Sequence, residues 1–159
     1  MATYINPSPG VSGTEVVLTI SVANNAGDNG VTVPSIQNIT LNANQDVMTW
    51  SQLDSTAKIN VTTTSTNGLD MNIVLDTDTF FGDTGAAEGT AANIGLFALS
   101  NSKTKVAFEL FFGKDSDGTD TKTISGEGYL TGLSPTLSGD SPVWVSPISI
   151  TVDGEYTIA

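Results

Sequence analysis

Residues 67–76 read NGLDMNIVLD, a stretch in which apolar side chains recur at every second position. Such an alternation is typical of a β-strand that buries one face and exposes the other. The apolar side consists of Leu69, Met71, Ile73 and Leu75, and the polar side of Asp70, Asn72 and Asp76. The sequence therefore predicts a half-buried strand here.

The same period of two recurs along most of the chain. We expect further strands in which one face carries Val16, Leu18, Ile20 and Val22, then Val106, Phe108, Leu110 and Phe112, and finally Trp144, Ile148, Ile150 and Val152. Two less regular strands are expected near residues 35–41 and 124–133. The pattern predicts a mainly β protein built from antiparallel strands.

Residues 44–66 predict a long projecting hairpin. Two β-rich pieces, 46–53 and 58–64, flank a short turn, and the dipeptide Asn67-Gly68 is typical of a tight turn that closes the segment. The few apolar residues of the hairpin are Val47, Met48, Trp50, Leu53, Ile59 and Val61. A hairpin that cannot bury a complete face in its own domain is a candidate for docking on a partner.

One helix is expected, at about residues 90–100. Thr90 can act as its N-cap, and Ala92, Leu96 and Leu99 fall on one stripe at helical spacing. Asn101 can end the helix in a left-handed conformation.

The length of 159 residues is sufficient for one domain with a full core. Prolines at positions 7 and 9 predict an extended N-terminal arm at 1–13, which leaves 14–159 as a single β-domain. The first residues lack the basic and apolar segments of a signal peptide, and no apolar run is long enough to span a membrane. We expect a chain that is made in a cytoplasm and does not insert into membranes.

The composition excludes several kinds of chemistry. The chain contains no histidine, cysteine or arginine, so an ordinary serine triad, a thiolate nucleophile and a cysteine metal site are all excluded. Seventeen acidic residues against five lysines give a net charge of −12, which repels nucleic acid. We expect neither an enzyme, nor a cofactor, nor a nucleic-acid reader.

One turn is a candidate metal site. Asp115, Asp117 and Asp120 lie close together in DSDGTD, and Ca²⁺ prefers several oxygen ligands from one flexible loop. Their spacing departs from that of an EF-hand, and a hairpin turn made of turn-forming residues explains them without a metal.

Two other constellations deserve a comparison with ordinary surface residues. Asp76, Asp78 and Asp83 could supply the carboxylate pair of a glycosidase, although nothing in the sequence indicates the cleft that such a pair needs. Trp50 and Trp144, with the tyrosines, could form a sugar-binding platform, but packing in a core or an interface is the simpler explanation.

Several short segments occur in a defined order: VPSIQNITL, LDSTAKI, NGLDMNIVLD, LFALSNSKTKVAFELFF and GEGYLTGLSPTLSGDSPVWVSPISITVDGEY. In this order they resemble the tail tube proteins of long-tailed bacteriophages, over roughly residues 14–156. The element at 54–57 followed by the strand at 68–76 carries the resemblance most strongly, together with the closing strand pair. The DSDGTD turn is particular to this chain.

The resemblance implies a β-sandwich or half-barrel of two roughly orthogonal antiparallel sheets with one flanking helix. It also implies copies that associate into rings, typically hexameric, which stack into the hollow tail tube of a virion and conduct DNA into the host cell. Partners implied by the family are tape-measure, tail-tip and tail-terminator proteins. In the family a long hairpin reaches the adjacent ring, which corresponds to 44–66 and its six apolar residues.

An acidic lumen would suit such a tube, because carboxylates repel DNA and so confine a genome without binding it. Asp70, Asp76 and Asp153 are the residues that we expect to face the lumen. Two alternatives remain open at this point: a calcium-assisted carbohydrate-binding β-sandwich, and a phage head-decoration or tail-completion protein that does not polymerise.

Overall fold

A computed structural model describes residues 16–51, 57–112 and 122–159. The strands are β1 (Val17–Val22), β2 (Val31–Thr32), β3 (Ile36–Ser51), β4 (Lys58–Val74), β5 (Lys105–Phe112), β6 (Lys122–Thr131), β7 (Thr136–Ser138), β8 (Ser141–Val152) and β9 (Thr157–Ile158). The helices are α1 (Thr77–Phe81), α2 (Ala91–Ile94) and α3 (Leu96–Asn101). The expected arm at 1–13, Leu53, and the turn with Asp115, Asp117 and Asp120 lie outside the described residues.

The described strands form one antiparallel sheet. Its main order is β2-β1-β5-β6-β8-β4-β3, while β7 pairs with β8 and β9 pairs with β6. The sheet is not closed, because β2 and β3 end this path without meeting. The prediction of a mainly β, half-barrel-like fold with flanking helical structure is confirmed, and β8 joins the two halves into a continuous hydrogen-bonded sheet by pairing with both β6 and β4.

The core lies between one face of this sheet and the three helices. Alternate residues of the strands point into it, as the period of two predicts. Leu69, Met71 and Ile73 of β4 are at most 2% exposed, and they pack in one cluster with Phe80 of α1 and Leu99 of α3. Full burial of each such side chain contributes about 1.5–3 kcal/mol to folding. The face of the sheet that points away from this cluster is called the outer face below.

The dipeptide Asn67-Gly68 lies inside β4 and does not form a turn, so this sequence prediction is wrong. Gly68 is paired with Asn42 of β3 on one side and with Thr151 of β8 on the other. The buried side chain of Asn67 donates a hydrogen bond to the carbonyl oxygen of Gly154 at 2.8 Å. These partners hold the backbone extended, and β3 and β4 therefore continue for 16 and 17 residues.

The helix expected at 90–100 is divided at Gly95 into α2 and α3. Gly95 has φ 81° and ψ 153°, a region that is essentially restricted to glycine. A Cβ atom there would lie 2.4 Å from the backbone nitrogen of Gly82, so the close approach of the two loops also requires glycine. Thr90 caps α2 as predicted, since its hydroxyl accepts a hydrogen bond from the N–H of Asn93 at 3.3 Å.

Helix α1 was not expected from the sequence. The carboxylate of Asp76 caps it by accepting hydrogen bonds from the backbone N–H and the hydroxyl of Thr79, at 3.2 and 3.1 Å. At the end of α3, the left-handed residue is Lys103 with φ 55°, and not Asn101. None of the helices in the described part of the chain is long and apolar enough to cross a membrane.

Candidate assembly site

The distal parts of β3 and β4 form a two-stranded ribbon, residues 43–51 and 58–66. In the described residues these parts pair only with each other, because the contact of β4 with β8 begins at Gly68. Every side chain of the ribbon is exposed except the half-buried Ile59. At about 3.3 Å per residue, the ribbon extends roughly 30 Å. The extended β geometry of this segment therefore presents its side chains to solvent rather than to its own core.

One face of the ribbon is apolar. Met48 lies opposite Val61, and Trp50 lies opposite Ile59, so these four side chains point to the same side. We call them the apolar face. Val47 points to the other side, opposite a threonine, although it is also exposed. The structure thus brings together four of the six apolar residues that the sequence singled out, separates Val47 from them, and does not describe Leu53.

A bulge aligns the two strands so that the apolar face forms. One extra residue of β4 lies opposite Asp46, where the register shifts by one position. The side chain of Asp46 accepts a hydrogen bond from the hydroxyl of Thr64 at 3.2 Å. If the register of the sheet continued without the shift, Met48 and Trp50 would face a threonine and an asparagine instead of Val61 and Ile59. The bulge therefore determines which side chains meet.

The ribbon is fixed to the body of the protein at its base. The hydroxyl of Tyr156 lies 2.6 Å from the carbonyl oxygen of Asn42 and 2.7 Å from that of Gly68, and it can donate its proton to either. Asn67 and Gly154 form the second link described above. Both links come from the C-terminal segment, which sequence analysis did not connect with the hairpin.

Asp70 lies on the outer face of β4 between two donors. The hydroxyl of Ser149 on β8 and the side-chain amide of Asn42 on β3 each donate a hydrogen bond to its carboxylate at 2.6 Å. Asp70 and Ser149 are paired residues of adjacent strands, so the polar residues of β4 and β8 share one exposed surface.

Asp153 follows β8 and belongs to an ion-pair cluster. The ammonium group of Lys105 lies 2.8 Å from a carboxylate oxygen of Glu127 and 3.1 Å from one of Asp153. The hydrogen bond with Glu127, followed by the one with Asp153, raises the pKa of Lys105 above its usual value. One cation thus offsets part of the negative charge where three strands meet.

The three aspartates predicted for a lumen do not form one cluster. Asp70 lies mid-strand, whereas Asp76 lies beyond the opposite end of β4 from the ribbon, where it caps α1. In the described residues there is no group of three or more carboxylates, histidines or cysteines arranged to hold a metal ion.

A groove of about 610 Å³ lies at the end of the molecule opposite the ribbon. Its apolar lining includes Val74, Phe81, Val143 and Trp144, and Asp76 stands at its polar side. The rings of Phe81 and Trp144 are 64% and 51% exposed, so a large apolar surface faces solvent here. The sequence alone did not predict this site, although two adjacent phenylalanines close after an aspartate were a signal for it. We call it the Phe81–Trp144 groove.

The structure argues against two of the constellations considered from the sequence. Trp50 lies on the ribbon and Trp144 in the groove, so one chain cannot combine them in a sugar-binding platform. Asp76, Asp78 and Asp83 are all exposed. Asp83 accepts a hydrogen bond from the backbone two residues later at 2.8 Å, as a turn-forming aspartate does. They do not share the enclosed cleft that a carboxylate pair would need.

No protein-family model matches the sequence. No curated protein matches it either. Solved structures, however, match nearly the whole chain. The SPP1 tail tube superposes with a TM-score of 0.67 over 93% of this chain and 78% of that chain, at 11% sequence identity. This chain has the tail tube fold.

Two further structures share the tail tube fold. The sheath/tube terminator of the extracellular contractile injection system PVC has a TM-score of 0.59 over 97% of this chain and 99% of that chain, at 13% identity. The tail of an empty gene transfer agent particle, refined with C6 symmetry, has a TM-score of 0.59 over 93% of this chain and 98% of that chain, at 9% identity. The three structures are a tail tube, a sheath/tube terminator and the tail of a particle.

Proposed function

We propose that this protein is a structural subunit of a phage-type tail tube, that it is located in the virion, and that it has no enzymatic activity. The observation that carries the proposal is the likeness of nearly the whole chain to a tail tube and to two other components of tubular particles. The strand pattern and segment order of the sequence lead to the same fold independently.

The sheet edges support association into rings. Among the described strands, β3 is an edge strand of 16 residues with a single charged residue, Asp46. Long edges without protective lysine or proline are templates for pairing with another chain. Pairing of β3 with the β2 side of a neighbour would cover both edges and propagate around a ring. We infer a ring of six copies, since the gene transfer agent tail of the same fold has C6 symmetry.

We further propose that the hairpin at 44–66 reaches the adjacent ring. The ribbon projects from a domain that spans residues 14–159, with residues 1–13 as an arm. We propose that the contacts are made by the apolar face, Met48, Trp50, Ile59 and Val61, and that Val47, which points to the other side of the ribbon, does not take part. Leu53 lies outside the described residues, and its contribution stays a prediction. Burial of these exposed side chains between rings would stabilise stacking.

The lumen is assigned to the outer face of β4 and β8. Asp70 and Asp153 are exposed on this face. We propose that Asp76, which caps α1 beyond the end of β4, lies at the rim of the bore. With a net charge of −12, such a surface repels DNA, which would pass through the tube without specific binding. A density map of the assembled tube tests this assignment, and finding Asp70 on the outer wall or between subunits would overturn it.

The partners that follow are other copies of this chain, a tape-measure protein inside the tube, and tail-tip and terminator proteins at its ends. One observation favours a second candidate function: the PVC tube terminator has the same fold and nearly the same length. A terminator forms one ring that ends a tube and does not polymerise.

Negative-stain electron microscopy of the purified chain, together with its mass by light scattering over a range of concentrations, tests the proposal. We expect stacked rings or hollow tubes. Single rings that never stack at any concentration would instead identify a terminator. A chain that stays monomeric even when an end complex is supplied as initiator would contradict both functions.

A further inference from the structure

Two exposed apolar surfaces lie at opposite ends of one strand. Ile59 of the apolar face is near the start of β4, and Val74 of the Phe81–Trp144 groove is its last residue. Fifteen residue steps separate them, which corresponds to about 50 Å along an extended strand. The two surfaces therefore cannot cover each other within one molecule.

Their shapes and chemistry are complementary. The apolar face protrudes from the body, since it is carried by two strands that in the described residues pair only with each other, and its largest side chain is the indole of Trp50. The groove is concave and is lined mainly by apolar side chains. Its volume of about 610 Å³ is in the range that accepts a group of several side chains.

Charge favours the ribbon as the part that approaches a second copy. The chain has a net charge of −12, so most surfaces of two copies repel each other. The hairpin at 44–66 carries two aspartates, Asp46 and Asp54, against Lys58, so its net charge of −1 is a small part of the total. Lys58 lies at the distal end of the ribbon, whereas the exposed Asp76 lines the groove and the exposed Asp78 follows two residues later in α1. Docking would bring a cation toward two carboxylates.

We propose that the Phe81–Trp144 groove of one copy receives the apolar face of a second copy. This inference rests on the proposed function, because it names the surface that accepts the hairpin. The contact is heterologous: each copy donates a ribbon at one end and offers a groove at the other. Contacts of this kind repeat without closing when their rotation does not return to the start, and they produce a filament.

Cysteine cross-linking tests the contact directly, because the chain contains no cysteine of its own. The double variant Val61→Cys and Thr77→Cys places one thiol on the apolar face and one in the groove. Mild oxidation is expected to yield a ladder of covalent multimers on a non-reducing gel. The matched control combines Val61→Cys with Val17→Cys and is expected to yield no ladder. Val17 is an exposed valine of β1, and β5 and β6 separate β1 from β8 in the sheet.

Electron microscopy of the same samples separates the two claims. Tubes, together with a ladder that forms only in the variant with Val61→Cys and Thr77→Cys, support both the groove contact and the tube function. Tubes without that ladder, or with a ladder only in the control, overturn the groove as acceptor but leave the tube function in place. A ladder without tubes supports the contact and contradicts the tube function. A sample that shows neither a ladder nor tubes contradicts both the groove contact and the tube function.

Complementing variants provide a second test. Trp50→Ser damages the ribbon and leaves the groove intact, while Phe81→Ser damages the groove and leaves the ribbon intact. Each variant alone is expected to lose stacking. In a mixture of the two variants, one copy of each is expected to form a pair, through the intact ribbon of one and the intact groove of the other. The mass of the particle should double and then stop growing, because no second intact ribbon and groove remain. If the mixture does not pair although the unmodified chain forms tubes, the inference is wrong.

Discussion

The hydroxyl of Tyr156 lies 2.6 Å from the carbonyl oxygen of Asn42, although 114 positions separate the two residues. The contact joins the C-terminal segment to the base of the ribbon. A ribbon that is fixed at its base loses less conformational freedom on docking than a free one, so pre-organisation favours association.

Replacement of Tyr156 tests the role of this contact. Tyr156→Phe removes the hydroxyl and leaves the carbonyl groups of Asn42 and Gly68 without that donor. We expect the free energy of unfolding in urea to fall by about 1–2 kcal/mol. Tyr129→Phe, at a ring that is 41% exposed, is the control and should change stability little. Equal effects of the two variants would show that the contact contributes nothing specific.

The same tyrosine predicts a dependence on alkaline pH. Burial, with a further contribution from the charge of Asp70, raises the pKa of Tyr156, and the hydrogen bond with Gly68 only partly opposes this. Because the folded pKa lies above the unfolded value of about 10, the folded state favours the neutral phenol. The stabilisation is complete below pH about 10 and is lost as the pH rises through the folded pKa.

Stability measured for the unmodified chain and for Tyr156→Phe between pH 7 and 12 checks this dependence. The difference in the free energy of unfolding between the two proteins should become smaller above pH about 10, the region in which a tyrosine titrates. Lys105 titrates in both proteins, so its contribution cancels in the difference. A difference that stays constant across the range would contradict the prediction.

Lys105 is expected to stabilise the fold in a salt-dependent way. Lys105→Met removes the cation between Glu127 and Asp153 and leaves two neighbouring carboxylates. The melting temperature should fall more at low ionic strength than at 1 M salt, at which the Debye length is only about 3 Å. Lys122→Met removes the same charge at a site where no described residue forms an ion pair with it, and serves as the control.

Two valines of the ribbon test which face is used. Val61 and Val47 are both about half exposed, but only Val61 belongs to the apolar face. Val61→Ser should leave the melting temperature nearly unchanged and raise the concentration needed for tube assembly about tenfold, the factor that corresponds to 1.4 kcal/mol. Val47→Ser should change neither the melting temperature nor the concentration needed for tube assembly. A larger effect of Val47→Ser on assembly would assign the contact to the opposite face.

Gly128 is expected to be essential for the pairing of β6 with β8. A Cβ atom at this position would lie 2.2 Å from the carbonyl oxygen of Thr151. This oxygen belongs to the backbone, so it cannot move aside as the end of a flexible side chain could. Gly128→Ala should therefore lower the free energy of unfolding by about 3 kcal/mol, at the upper end of the usual range for overpacking. Gly139→Ala, where no atom lies within 4 Å, should have a small effect in the same chemical denaturation measurement.

The strands of the core could be predicted from the sequence because their burial is determined by local alternation. Leu18 and Ile20 of β1, and Ile148 and Ile150 of β8, occupy the buried positions that the period of two assigns to them. The continuity of β4 through Asn67-Gly68 could not be predicted in this way, because the partners that keep it extended come from distant segments.

The candidate site was predictable only in part, for the same reason. The scarcity of apolar residues in the hairpin predicted a docking segment, and this stays a prediction. The side to which each of its residues points depends on the bulge opposite Asp46 and could not be predicted locally. The groove combines Phe81 of α1 with Trp144 of β8, which lie far apart in the sequence. Its formation required the unexpected helix α1.

The continuity of β4 from the ribbon to the groove also has a mechanical consequence. A pull on the tip of the ribbon along the strand acts on one unbroken length of covalent backbone. The ladder bonds to β3 and β8 run across that direction, so such a load shears many of them together instead of peeling them apart one by one. In a stack of copies joined end to end, tension would pass from one β4 to the next without crossing a loop within the subunit.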